Sequence, residues 1–436
     1  MLESVSEVYT LKELIVNTNY KPTIYACFVG YIVQAIINNF VPLLFLTFQQ
    51  SYGIPLSKIT FLITFNFLLQ LAVDFVSAFF IDKIGYRAAA VAAHVFATVG
   101  LVSLAVLPEF TPDPFVGLMI SVVIYALGGG LLEVLISPIV EACPTDNKEA
   151  AMSLLHSFYC WGHVGVVLLS TLFFTAVGIE HWKVLAVLWA LIPLLNGIWF
   201  VKVPMATLLP EGEQGLSMKQ LVSGKTFWIF VLLMFCAGSC ELAISQWASA
   251  FAEKGLQVSK TVGDLAGPML FAILMGTSRV LYSKIGEKLN LQKAMVVCGV
   301  LCLGSYLLIA LSPTPVLGLV GCGICGFSVG LLWPGTFSLA SVSIPRGGTA
   351  MFALLALAGD LGCSLGPTLV GRVSATAGDD LRKGILAATV LPVMLLVTLA
   401  WKRRNGKEAS LRMEEEKIFQ TTRECIQCDL PYGKEG

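Results

Sequence analysis

The chain contains an internal repeat, and this repeat limits the possible folds more than any other feature of the sequence. Short motifs recur at an offset of about 200 residues, which is the pattern of two structural copies. Both copies are apolar, and duplicated apolar halves typically enclose a central site near the bilayer midplane. The recurring motifs are Gly53–Ser57–Lys58 with Gly255–Ser259–Lys260, Lys83–Ile84–Gly85 with Lys284–Ile285–Gly286, Gly130–Leu131–Leu132 with Gly330–Leu331–Leu332, and Ala151–Met152 with Ala350–Met351.

Composition places both copies in a membrane. Hydrophobic residues make up 56% of the chain and charged residues only 13%, so a soluble fold of this length is excluded. Between Pro22 and Trp401 we count twelve apolar runs of about 20 residues, the length that crosses a bilayer. The eighth of these runs is Thr261–Ile285 and the ninth is Leu291–Leu311. The sequence therefore predicts an all-α membrane protein whose 12 transmembrane helices form two pseudo-symmetric six-helix bundles.

The domain limits follow from the runs and the one long connection between them. We expect an N-terminal segment at 1–21, a first bundle at 22–203, a linker at 204–224, a second bundle at 225–402 and a tail at 403–436. The linker holds Pro, Gly, Glu and Lys and separates the two copies. The first residues lack the basic and apolar pattern of a cleaved signal peptide.

Basic residues predict the orientation, because cytoplasmic loops are enriched in Lys and Arg. If both termini are cytoplasmic, most of the basic residues outside the apolar runs fall on one side of a cell membrane. Lys and Arg together equal Asp and Glu, at 28 each, so nothing indicates nucleic acid binding. This basic set comprises Lys83, Arg87, Lys202, Lys219, Lys225, Lys284, Lys288, Lys293, Lys402, Arg403 and Arg404.

The sequence indicates neither a cofactor nor a metal site. Cys425 and Cys428 form one isolated pair in the tail, without the second pair that a structural zinc site needs. No nucleotide-binding loop of the Gly-x-x-x-x-Gly-Lys-Ser/Thr type occurs, so we expect no enzyme activity and energy from an ion gradient. We expect a monomer whose partners are the lipid bilayer, a small-molecule substrate, and a proton or sodium ion.

One loop motif resembles a known family. The stretch Ala78-x-x-x-Asp82-Lys83-x-Gly85-x-Arg87 is similar to the loop signature of the major facilitator superfamily, with Ala in place of the leading Gly. The resemblance implies a gate made by Asp82, Gly85 and Arg87. Gly85 permits a tight turn between two helices, and Asp82 could cap a helix that starts near Gly347 through the helix dipole. The alternative is that Asp82 and Arg87 only hold a solvated loop. In the second copy Ser283 replaces the Asp.

A narrower resemblance points to the fucose permease and sodium-dependent glucose transporter branch, which carries sugars with protons or sodium. The family's helix-four Glu maps onto Glu133, and its helix-one Asp falls near Asn39, which cannot titrate. This resemblance rests on Phe48–Gln49–Gln50, Gly130–Leu131–Leu132–Glu133 with Ser137–Pro138, His156–Ser157–Phe158–Tyr159, and Glu241 with Ser245 and Trp247.

Ionisable residues inside the apolar runs are functional candidates, because each costs roughly 2.5–3.5 kcal/mol at membrane depth. The repeat pairs Glu133 with Trp333, and Asn39 with Glu241, so these four could face one cavity. A carboxylate accepts from sugar hydroxyls and an indole packs on C–H groups. Glu133 could instead be hydrogen-bonded structurally to a neighbouring helix. The five ionisable candidates are Asp74, Glu133, Glu241, Arg279 and Asp360.

These candidates receive separate roles. We expect Asp360 to contact substrate or to pair with Arg279, which we also assign to the gate. We expect Asp74 to serve the gate or the interface between the halves. His156 and Tyr159 lie on one helical face, which could be a sugar-binding edge or a set of interhelical hydrogen bonds. Asn66 and Gln70 form a polar face on the second helix. Gln246 and Trp247 continue the polar stretch of the seventh.

The sequence therefore predicts an ion-coupled symporter of a sugar or polyol that works by alternating access. A proton-driven exporter of amphipathic small molecules is the alternative. A membrane sensor or scaffold without transport activity is a third reading, and only the charged tail favours it.

Overall fold

The computed structural model describes residues 18–404 except 55, 207, 209–214, 257–264 and 379. The regular secondary structure of these residues is helical throughout, which confirms the predicted all-α class. In the first half the helices are α1 Lys21–Asn39, α2 Leu56–Ile84, α3 Tyr86–Phe110, α4 Pro114–Ala142, α5 Lys148–Val177 and α6 Trp182–Lys202. In the second half they are α7 Lys225–Leu256, α8 Leu270–Ile285, α9 Leu291–Leu311, α10 Val316–Ser343, α11 Gly348–Thr376 and α12 Leu381–Arg404.

Within the described residues, 10 helices are long and apolar enough to cross a membrane. The other two are α2, with a shorter apolar core at Phe65–Ile81, and α8, which follows a π-helical turn at Leu265–Met269. Part of the predicted eighth helix, which we expected to begin at Thr261, lies outside the described residues. With α2 and α8, twelve helices of the two bundles lie among the described residues, which is the number that the sequence predicts.

Local sequence explains where several helices begin. Asp113 accepts a hydrogen bond of 2.9 Å from the backbone N–H of Phe115, with Pro114 in the first turn of α4. Asn147 accepts one of 2.8 Å from Ala150 at the start of α5. These side chains satisfy N–H groups that have no partner inside the helix. Between α2 and α3 the chain turns at Gly85, whose φ of 81° favours glycine.

The two halves meet mainly where α2 packs on α11 and α5 packs on α8, with smaller contacts of α4 with α11 and of α5 with α10. We call the side on which α1 begins the near side and the opposite side the far side. Three hydrogen bonds join the halves at near-side helix ends. They link Tyr86 Oη with Thr349 Oγ1 at 2.6 Å, Ser341 Oγ with Glu141 Oε1 at 3.0 Å, and Tyr282 Oη with Glu149 Oε2 at 3.0 Å.

Candidate functional site

Three carboxylates from both halves meet in the middle of the helix bundle. Asp74 of α2, Glu133 of α4 and Asp360 of α11 each place an oxygen within 4.8 Å of the other two. Asp74 precedes the end of α2 by about ten residues, and Glu133 precedes the end of α4 by about nine, so both lie roughly 15 Å deep. That depth is about half of a 30 Å hydrocarbon core. The carboxylate cluster, as we call these three residues, therefore lies near the midplane.

Asp74 is the innermost member of the carboxylate cluster. Its side chain is 0% exposed, whereas Glu133 and Asp360 are partly exposed. Both of its carboxylate oxygens are buried, and its carboxyl group lies within hydrogen-bonding reach of the carboxyl group of Asp360. The sequence predicted separate roles for these three residues, and the structure brings them together across the interface between the halves.

Gln34 of α1 supports Glu133. Its Nε2 donates a hydrogen bond of 2.8 Å to Glu133 Oε2, which fixes the direction of that carboxylate. Gln34 is only 3% exposed, and its Oε1 is buried without a donor among the described residues. Sequence reasoning missed Gln34. The available signal was its spacing from Asn38, four residues later, which places both on one face of α1.

A network of amides lies beside the carboxylate cluster between α1 and α2. Gln70 Nε2 donates to Asn38 Oδ1 at 2.8 Å and to Asn66 Oδ1 at 3.0 Å. The predicted polar face of Asn66 and Gln70 is thus buried against Asn38, a residue that the sequence analysis did not name. Asn39, which it did name, donates at 2.8 Å to the carbonyl of Ala35 in its own helix.

Arg279 of α8 pairs with Glu241 of α7. Their Nη2 and Oε2 atoms are 3.6 Å apart, and the two side chains are 4% and 15% exposed. Arg279 also donates to the carbonyls of Gly330 at 2.8 Å and His156 at 2.9 Å, so it ties α8 to α10 and α5. The expected pairing of Arg279 with Asp360 therefore differs from the observed arrangement, because Arg279 is held on the opposite interface.

The side chain of His156 forms hydrogen bonds with other helices of the first half. Its Nε2 lies 3.3 Å from Tyr31 Oη and 3.2 Å from Ser137 Oγ, and these two hydroxyls are 2.8 Å apart. This geometry matches the interhelical hydrogen bonding that the sequence left open as one reading. Tyr159, one turn further along α5, interacts with the side chain of Asn38 and so joins the amide network.

Trp333 of α10 lies against α11 at the residue that precedes Asp360. A Cβ atom built on Gly359, the residue before Asp360, would be 2.2 Å from the Cη2 atom of Trp333. The indole therefore packs on the turn of α11 that carries Asp360, although its repeat mate is Glu133. Trp247 instead donates at 3.1 Å to the carbonyl of Pro367, and Gln246 is exposed.

The predicted gate residues have different environments. Arg87 donates to the carbonyl of Phe200 at 3.0 Å, which anchors the start of α3 to the end of α6 in the same half. The side chain of Asp82 lies outside the described residues, so its predicted contact at Gly347 stays a prediction. Near the loop, the bond between Tyr86 and Thr349 joins the halves.

Comparisons with known proteins agree with this architecture. The chain is 24% identical over 262 residues to the membrane protein MosC of Rhizobium meliloti, and the match spans 59% of this chain and 62% of that protein. The E. coli fucose:proton symporter FucP, solved in an outward conformation, superposes with a TM-score of 0.75 and 16% identity. That superposition covers 88% of this chain and 99% of FucP.

A second solved structure shares the fold and belongs to a protein that transports a different class of solute. The human organic anion transporter MFSD10 superposes with a TM-score of 0.70 and 16% identity, over 88% of this chain and 100% of MFSD10. These likenesses show the fold alone. The family model described as Major Facilitator Superfamily matches residues 26–367, which is most of the chain. This protein therefore belongs to the major facilitator superfamily.

Proposed function

We propose that this transporter carries a small polar solute, a sugar or polyol, by cation-coupled symport with alternating access. The observation that carries the proposal is the midplane site itself. The partly exposed Glu133 and Asp360 come from opposite halves and lie beside the amides of α1 and α2 and the indole of Trp333. Carboxylates and amides accept and donate hydrogen bonds to hydroxyl groups, and an indole face packs on sugar C–H groups.

The hydrogen bonds between the two halves support the same proposal. The bonds at Tyr86, Glu141 and Glu149 hold the halves together on the near side, and this supports entry of the solute from the far side. A rocking motion that breaks these bonds would expose the same site to the near side, which is alternating access. The outward conformation of FucP, a fucose:proton symporter, is a solved precedent for this arrangement.

Uptake into proteoliposomes tests the proposal. Purified protein is given a panel of labelled neutral sugars and polyols under an inward proton or sodium gradient. We expect uptake of at least one solute that collapses when an ionophore removes the gradient. Glu133→Gln should abolish gradient-driven uptake, while Glu180→Gln, which changes an exposed carboxylate outside the site, should leave it intact.

Two outcomes would overturn this function. Indifference to every sugar and polyol, combined with extrusion of amphipathic compounds against a proton gradient, would establish the exporter that the sequence left as the alternative. Uptake with the same gradient dependence in Glu133→Gln would remove the carboxylate cluster from the mechanism.

A further inference from the structure

On the basis of the proposed symport, we infer that Arg279 is a positioning residue, which fixes the angle of a break in α10 and, through this break, the position of Trp333. The helix is interrupted at Gly330–Leu331, between the helical segments Pro315–Val329 and Leu332–Ser343. We call this interruption the α10 break, and the two parts the far-side segment and the near-side segment.

Pro334 causes the α10 break. A proline has no backbone N–H, so the carbonyl of Gly330, four residues earlier, loses its donor inside the helix. Both residues of the break keep right-handed helical angles, with φ −51° and ψ −37° at Gly330 and φ −87° and ψ −17° at Leu331. The backbone is therefore close to helical while its hydrogen bonds are interrupted, and helices bend at such prolines.

Arg279 of α8 supplies the missing donor. Its Nε donates at 2.8 Å to the carbonyl of Gly330, its Nη1 donates at 2.9 Å to the carbonyl of His156 in α5, and its Nη2 lies 3.6 Å from Glu241 in α7. A Cβ atom built on Gly330 would be 2.8 Å from the carbonyl oxygen of Met275, so α8 lies directly against the α10 break. The planar guanidinium holds its donors at fixed angles, and these contacts therefore fix the orientation of the break.

Other prolines show that a proline alone does not interrupt a helix of this chain. Four of them lie inside spanning helices that continue through them, namely Pro108 of α3, Pro138 of α4, Pro193 of α6 and Pro367 of α11. At Pro334 the helix is interrupted, and a buried arginine donates to the carbonyl that the proline frees. The combination is that of a pivot with its own pin.

The near-side segment links the α10 break to the site and to the first half. Trp333 lies in its first turn and packs on Gly359, the residue before Asp360. Ser341, near its other end, donates at 3.0 Å to Glu141 of α4. Rocking that breaks this bond changes the load on the near-side segment, and the angle at the α10 break then decides where the indole lies on α11.

Arg279 responds to the same motion. Its hydrogen bond to the carbonyl of His156 crosses between the halves, so this bond breaks when α5 moves away from α8. The pin then loses its anchor in the first half, and the near-side segment turns at the α10 break. The position of Trp333 is thereby tied to the state of the transporter, as in hinge motions of other proteins.

Distances across the α10 break can be measured without any solute. Spin labels are attached to p-acetylphenylalanine at positions 316 and 342 of the purified full chain, where Val316 and Val342 are 58% and 70% exposed on the two segments. We expect one narrow distance distribution in the otherwise unchanged chain. Arg279→Lys keeps a positive charge beside Glu241 but has a single terminal nitrogen, so it should add a second, shorter distance.

A second substitution separates the pivot from the ion pair. Pro334→Ala restores an N–H that donates to the carbonyl of Gly330, so the double variant with Arg279→Lys should return to one narrow distribution. Pro193→Ala, which changes a buried proline of α6, is the matched control and should leave the distribution of Arg279→Lys broad. One narrow distribution in Arg279→Lys alone, or a broad one in the double variant with Pro334→Ala, would overturn the inference.

Uptake kinetics then connect the α10 break with transport, for any solute that the sugar and polyol panel identifies. Pro334→Ala adds a hydrogen bond of about 1 kcal/mol that each bend has to break, so the maximal rate should fall about fivefold with an unchanged KM. This variant keeps Arg279 and its ion pair, so it is informative even if Arg279→Lys fails to fold. A maximal rate at the wild-type level would remove the pivot from the transport cycle.

The failure of this inference and the failure of the proposed function are distinguishable. The expected distances without uptake of any sugar or polyol would leave the role of Arg279 in α10 standing and remove the proposed substrate class. Sugar uptake with one narrow distribution in Arg279→Lys would leave the transport function standing and remove the pin.

Discussion

The contact between Trp333 and Gly359 can be tested by adding one methyl group. In Gly359→Ala the new Cβ would lie 2.2 Å from Cη2, 2.5 Å from Cζ3 and 3.0 Å from Cζ2 of the indole. Ordinary carbon contacts are about 3.5–4.0 Å, so the ring or α11 must move by more than 1 Å. Overpacking of this kind costs about 1–3 kcal/mol.

The helix preference for Ala over Gly opposes this steric cost, so the two contributions have to be separated. Ala is favoured over Gly inside a helix by about 1 kcal/mol, so Gly359→Ala also gains stability from its backbone. Gly304→Ala in α9 isolates that gain, because nothing lies within 4 Å of its added Cβ. Relative to Gly304→Ala, we expect Gly359→Ala to be less stable by about 2 kcal/mol in reversible denaturant unfolding.

A second substitution should restore the loss. Trp333→Phe removes the ring atoms that the methyl group meets, so the double variant should recover most of the stability difference. This coupling is what a double-mutant cycle measures between residues in contact. Equal stability of Gly359→Ala and Gly304→Ala, or no recovery by Trp333→Phe, would show that the indole does not pack on the turn of α11 that carries Asp360.

Three further predictions concern the contacts around the site. Arg279→Gln leaves Glu241 buried without its cation and should cost about 3 kcal/mol of unfolding free energy, and adding Glu241→Gln should recover part of it. Tyr86→Phe removes a bond of about 1 kcal/mol to Thr349, so near-side opening should rise about fivefold, seen as faster amide exchange at the start of α11. Unchanged exchange would contradict a role of this bond in holding the halves together. Gln34→Ala removes the donor to Glu133 and should lower the affinity for the coupling ion, and wild-type affinity would show that this amide does not orient the carboxylate.

The membrane helices were predictable because length and apolarity alone define them. The ninth helix was expected at Leu291–Leu311 and is observed there, since apolar residues fill it and Asn290 caps its start. Gly85 was predicted as a turn residue because glycine permits a tight turn between helices, and its positive φ confirms this. These features depend on local sequence and on the bilayer, and both are visible without knowing which helices touch.

The composition of the site was not predictable in the same way. Each carboxylate could be recognised as costly at membrane depth, but its neighbours depend on how helices from the two halves cross. The repeat aligns residues at equal depth in equivalent helices, so it set Glu133 opposite Trp333. The actual contact joins α4 with α11, which are not equivalent helices. Gln34 was missed because a neutral amide costs less in the membrane than a charge and therefore stands out less.

The asymmetry between the two interfaces explains how an ion could drive this fold. Two charged oxygens no more than 4.8 Å apart repel by about 3 kcal/mol or more at an effective dielectric constant near 20, and the cluster contains three such pairs. Without a cation this repulsion works against the approach of α11 to α2, while at the opposite interface Arg279 of α8 donates a hydrogen bond to the carbonyl of His156 in α5. A ligand shifts a conformational equilibrium only by its difference in affinity between the states. Because Asp360 belongs to one half and Asp74 and Glu133 to the other, rocking changes the number of ligands around the ion, and this difference is what couples ion binding to transport.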